Sequence, residues 1–166
     1  MKVHSTEAYF TRQHEACCKY LKRYARKPNA DDLHSMRVSI KKIKAILNLT
    51  TDLHGLDVEG YFAPYRGIFH QAGQIRKAAL VHDKLKELSK DKKAIADRGR
   101  HITALNKKFK TEIPFCLKDV NERVEDVLAA IRSYDYDTEA YCKKLIPKLK
   151  KNGARACITT THSVNT

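Results

Sequence analysis

Between Leu33 and Leu47 the apolar residues fall at intervals of three and four: Leu33, Met36, Ile40, Ile43 and Leu47. That spacing stacks them as a narrow stripe on one side of an α-helix, whereas a strand would scatter them over both faces. A chain holding such a segment must bury the stripe against another apolar surface. The rest of the sequence offers more helical stripes and no useful run alternating with period two. Only 6 glycines and 4 prolines punctuate 166 residues, too few for turn-rich β architectures. The expectation is an all-α, antiparallel bundle of long helices joined by short connections.

The spacing predicts a first helix over 5–27, ended by Pro28 because proline disfavours helical geometry in the residue before it. Phe10, Cys17 and Leu21 form its apolar side, with His14, Cys18, Tyr24 and Ala25 beside them; His14 reads as a packing histidine. Asn29 or Asp31 can cap the next helix, 32–53, which Gly55 closes. A third helix runs from 57 to about 89 with Phe62, Tyr65, Ile68, Phe69, Ala72, Ile75 and Ala79 inward. Pro64 suits it only within the first turn. Residues 91–112 carry Ile95, Ile102, Leu105 and Phe109. Pro114 is expected to kink or restart the chain, after which Leu117, Val120, Val124, Val127, Leu128 and Ile131 continue to about Ser133. A short helix over 136–151, interrupted by Pro147, would complete a single domain of residues 1–151. An irregular polar tail, 152–166, then follows.

Several function classes drop out. A hydrophobic content of 42% argues against wholesale disorder. No apolar run approaches the roughly 18–20 residues that span a bilayer, and Met1 to Glu7 has no apolar core of the kind a secretory leader needs. Cys17, Cys18, Cys116, Cys142 and Cys157 include no CxxC pair, so they read as reduced packing thiols in a cytoplasmic protein. No metal-ligand cluster, nucleophile–base pair or GxxxxGK[ST] loop is identifiable. The expectation is a binding protein without cofactor or metal, not an enzyme.

Charge carries the functional signal. Lysine and arginine number 33 against 19 acids, for a net +14. The excess is uneven: residues 113–139 hold 3 basic and 7 acidic residues, while 140–166 hold 6 and 0. His34, Arg37, Lys41, Lys44 and Asn48 form a second stripe within roughly 80° of arc, directly beside the apolar one. The three cations have no acid three or four residues away on their own helix, so ordinary surface pairing does not account for them. Cations at successive turns suit a linear polyanion, and each neutralised phosphate releases counterions. The second helix has no aromatic residue for stacking bases, so a target with phosphates but no bases fits best. Arg12, Lys19, Arg23 and Arg26 cluster within about 60° on the first helix; Arg12, Lys19 and Arg23, together with Arg76, are the candidate opposite wall. Lys42 points about 100° off the main row. His70 and Lys77 with Arg66 and Lys84, and His101 with Arg98 and Lys108, read equally as groove extensions or as solvated surface.

The run His34-Ser35-Met36-Arg37-Val38, with Lys41-Lys42 three positions on and then Lys44, resembles the signature helix of the CHAD family, the conserved histidine α-helical domain. A second family feature, Leu-Gly-x-x-Arg-Asp, is similar to Ala72-Gly73-Gln74-Ile75-Arg76-Lys77: Gly73 and Arg76 are in place, and Lys77 reverses the acidic position. The resemblance covers roughly residues 5–110 and implies binding of inorganic polyphosphate, without catalysis, through His34, Arg37, Lys41, Lys42, Lys44 and Arg76. Family members usually have two similar bundles around a basic cavity. Here the candidate second signature, Tyr141 to Lys148, lacks the histidine and contains Pro147. The chain thus resembles a half-length member, with a homodimer as the way to complete the cavity and polyphosphate granules as a location. Two other partners fit the same cations: a nucleic-acid backbone, and an acidic helix of another protein.

Overall fold

The structure is a computed structural model and describes residues 3–54 and 57–132. It consists of α1 (Val3–Arg26), α2 (Ala30–His54), α3 (Val58–Leu88), α4 (Lys92–Glu122) and α5 (Val124–Arg132). α1 packs on α2, α2 on α3, α3 on α4, and α4 back on α1, closing a ring around one core. His14 of α1 meets Asn121 of α4, and Tyr24 further along α1 meets Asn106. Arg37 of α2 meets Phe69 of α3, and Lys44 meets Phe62. Residue numbers rising along one helix fall along its neighbour, so the neighbours are antiparallel. The fold is the all-α bundle that the periodicity predicts.

Polar caps start the helices. Asn29, not Asp31, caps α2: its Oδ1 accepts the Asp32 backbone N–H at 2.7 Å. Asp57 accepts from Gly60 N at 3.0 Å and Asp91 from Ala94 N at 3.0 Å. Each satisfies a donor that a helix start leaves without a partner. Inside the ring, Phe10, Leu21, Met36, Ile40, Ile43, Leu47, Ile68, Phe109, Ile113 and Ile131 are fully buried. The helix 136–151, its Tyr141 to Lys148 segment, Cys142, Cys157 and the 152–166 tail lie outside the described residues.

Both proline expectations need correction. Pro64 is buried inside α3, beyond the first turn. α4 continues through Pro114 without restarting there, and the break comes at Arg123, whose φ of −95° and ψ of −6° are still near-helical. Pro114 is exposed, so water can replace the one amide donor that proline withholds from the Lys110 carbonyl. The predicted inner face of α4 is also only partly inside: Ile95, Ile102 and Leu105 are half-buried, as is Ala79 of α3. The cause is length. Tyr24, near the end of α1, stands level with Asn106, and His34, near the start of α2, stands level with Arg76. α3 and α4 therefore continue as a pair past the α1–α2 turn by roughly ten residues, about 15 Å at the helical rise. On that overhang Leu80 and Leu88 are 60% and 77% exposed.

His14 is a packing histidine with both ring nitrogens satisfied. Nε2 donates to Asn121 Oδ1 at 3.1 Å, and Nδ1 accepts the Tyr65 hydroxyl at 2.8 Å. Burial pushes its pKa down, against a weaker upward pull from the Asn121 hydrogen bond and Glu15. A base held neutral by the fold stabilises it fully above the ordinary histidine value of about 6.5. As pH falls below that value the unfolded chain takes up a proton that the folded chain refuses, so stability is lost until the lowered folded pKa is reached. Denaturation of wild type and His14→Gln should therefore show the wild-type advantage narrowing between pH 7.5 and 5. A constant gap would mean that the ring is freely protonated in the fold. Burial likewise raises the thiol pKa values of Cys17, Cys18 and Cys116, and all three are free.

Candidate functional site

The basic stripe of α2 lies along its seam with α3. Arg37 is laid flat against the neighbour: Nη1 donates to the Phe69 carbonyl at 2.5 Å, and Cζ sits 3.9 Å from the centroid of the Phe69 ring. Two turns further on, Lys44 Nζ is 5.2 Å from the Phe62 ring centroid. Both pairs are seven residues apart on their helices, about 10.5 Å of rise, so the antiparallel register repeats one device twice. Each cation rests on an aromatic face, an attraction worth about 0.5–2 kcal/mol. At the other end of the row, Arg76 Nη1 of α3 donates to His34 Nδ1 at 2.5 Å. His34, Lys41, Lys44 and Arg76 are exposed, while Arg37 is half-buried.

Like charges meet at this seam. Burial lowers the Arg37 pKa, and the like charge of Arg76 lowers it further. Some arginines and lysines elsewhere are paired with carboxylates: Arg66 with Glu59, Lys84 with Glu87, Arg100 with Asp97, Lys118 with Glu122, Arg132 with Glu7. Among the described residues, none of His34, Arg37, Lys41, Lys44 or Arg76 has such a partner. Two guanidinium groups held close without an intervening acid repel one another, and an added anion relieves that repulsion.

Gly73 explains how Arg37 reaches its seat. A Cβ there would run into the Arg37 Nη1, with Cζ only 3.3 Å away. The glycine thus leaves α3 bare where the guanidinium crosses it. In sequence it is simply a helical glycine, a residue that usually weakens a helix.

The remaining predicted residues are placed elsewhere. Lys42 is exposed, on the α1 flank of α2 by its helical phase. Arg12 is exposed on α1. Arg23 Nε lies 3.3 Å from Asp32 Oδ1, and that carboxyl is buried in the first turn of α2. Lys19 and Arg23 line a hollow that includes Asn121 of α4. The structure brings none of Arg12, Lys19 or Arg23 into contact with the seam; the wall facing α2 there is α3, through Arg76. Lys77, Arg98 and His101 line a separate hollow between α3 and α4, while Arg66 and Lys84 are held by acids.

Sequence reasoning missed the aromatic seats. Phe62 and Phe69 read as core, and Phe62 is buried, but each also carries a cation of α2. The matching seven-residue intervals on α2 and α3 were the available signal. No family model matches the chain, and no curated protein or solved structure matches it. Among the described residues no group of His, Cys, Asp or Glu could hold a metal ion, and no helix is long and apolar enough to cross a membrane.

Proposed function

We propose that the chain binds inorganic polyphosphate along the α2–α3 seam, as its resemblance to the CHAD family implies, and that it catalyses no reaction of its own. The observation that carries this reading is the gathering of His34, Arg37 and Arg76 with no carboxylate among them. Lys41 and Lys44 extend that cluster along α2. From His34 to Lys44 is ten residues, a row of about 15 Å at the helical rise, long enough to meet several consecutive phosphates. Arg37 uses one N–H on Phe69, which leaves four guanidinium donors for phosphate oxygens. Seated on a ring and a carbonyl, it has little rotamer freedom left to lose on binding. Phe62 and Phe69 turn their faces to cations, not outward as platforms for bases, which favours a ligand of phosphates alone over a nucleic-acid strand. A cytoplasmic site of action, including polyphosphate granules, and a second copy completing the cavity belong to the same proposal.

Titration of long-chain polyphosphate at several salt concentrations tests it. Log affinity should fall linearly with log salt, with a slope of roughly −3 to −4 if five cations are engaged, at about −0.7 per phosphate of a flexible strand. Duplex DNA or RNA that displaces the bound chain at equal phosphate concentration would replace this reading with a sugar-phosphate one. An acidic protein partner whose capture ignores polyphosphate would replace it with an interaction role.

A further inference from the structure

The hollow beside α1 has a cationic rim that the seam does not use. It measures about 470 Å³ and is lined by α1 residues from His14 to Arg26, with Asn121 of α4. We infer that it is a second anion site, built for a compact ligand bearing several phosphates in place of a linear chain. The first argument is shape. Lys19, Lys22, Arg23 and Arg26 line it, at positions i, i+3, i+4 and i+7 of one helix. These occupy two turns and about 100° of arc, a patch about 10 Å long, shorter and wider than the roughly 15 Å row of the seam. Phosphates set around a small ring match such a patch better than phosphates strung in a row.

Asn121, exposed on the α4 side of the hollow, is the second argument. Asn121 Oδ1 accepts from His14 and from Cys18, which commits its oxygen inward. Its two Nδ2 donors have no described partner and remain for an anionic or hydroxyl-bearing ligand. Arg23 keeps both terminal nitrogens, since Asp32 takes only Nε. One acid, Glu15, also lines the hollow, and Asp32 holds Arg23 from behind, so four cations stand against two carboxylates. The hollow lies between α1 and α4 and the seam between α2 and α3, so the two basic regions are distinct sites.

Calorimetric titration of myo-inositol hexakisphosphate into the full chain decides the matter. The wild type should bind it, and Lys19→Ala with Lys22→Ala should weaken binding at least 10-fold, both residues being exposed and removable without loss of fold. Arg37→Ala with Lys41→Ala should change it less than 2-fold. A wild-type chain that takes up no hexakisphosphate overturns the inference, whatever polyphosphate does at the seam. So does an affinity that follows the seam pair instead of the α1 pair.

Discussion

Reversing two charges of the seam together, Arg37→Glu with Lys41→Glu, is expected to weaken polyphosphate binding at least 100-fold at moderate salt. Each cation is an uncompensated donor, and a charge-assisted hydrogen bond is worth about 1.5–3 kcal/mol. Losing two therefore removes about 3–6 kcal/mol, and a factor of 100 needs only about 2.7. The new carboxylates add repulsion to that loss. The salt slope should become shallower by at least about 1.4, two phosphates at about 0.7 each. The fold should survive. Lys41 is exposed, and a glutamate at position 37 would face Arg76, which has no carboxylate partner now. Arg12→Glu with Lys42→Glu changes the net charge equally but lies off the seam, so it should cost only the small, general share of attraction that net charge supplies. Equal losses in the two double variants would show that the chain attracts polyanions as a charged body and has no site there. Retained affinity in the seam variant would remove the site altogether.

Much of the architecture could be read from residues because helical phase is a local property. The interval from Leu33 to Leu47 fixes the buried line of α2, and Asn29, Asp57 and Asp91 mark three helix starts by the chemistry of their side chains. The row His34, Arg37, Lys41, Lys44 was visible for the same reason. What phase does not carry is which neighbour stands on which flank. Arg12, Lys19 and Arg23 form as clear a row on α1 as their counterparts on α2. Yet the ring order puts α2 between α1 and the wall that completes the seam, and Asp32 engages Arg23. Relative helix length is equally silent. Ile95 and Ile102 have core-like spacing, but the helices that would cover them end at Arg26 and begin at Ala30. Pro114 misled for another reason: local propensity argues for a break there, and packing of Ile113 and Val120 into the core holds the helix through it.

Gly73→Ala should separate binding from stability more sharply than any loss of charge. In the middle of a helix, alanine is worth up to about 1 kcal/mol more than glycine, so on backbone grounds the variant should melt no lower than wild type. The added methyl, however, occupies the place of the Arg37 guanidinium. The obstructing group is the tip of a flexible side chain, so it can swing away, and the helical gain offsets much of the lost ring contact, worth about 0.5–2 kcal/mol. In doing so it gives up the Phe69 carbonyl and the ring beneath it. Binding then loses an oriented donor and must reorder a free arginine, together about 1.4 kcal/mol or more, which is a tenfold loss of affinity. Gly67→Ala supplies the matched control on the same helix, since a Cβ there meets nothing within 4 Å. It should gain the same helical stability and bind polyphosphate as wild type does. Thermal melts and titrations of the pair thus distinguish a seat for Arg37 from a mere gap in the packing. If Gly73→Ala bound as tightly as Gly67→Ala, the close approach of α2 and α3 at this point would have no part in recognition.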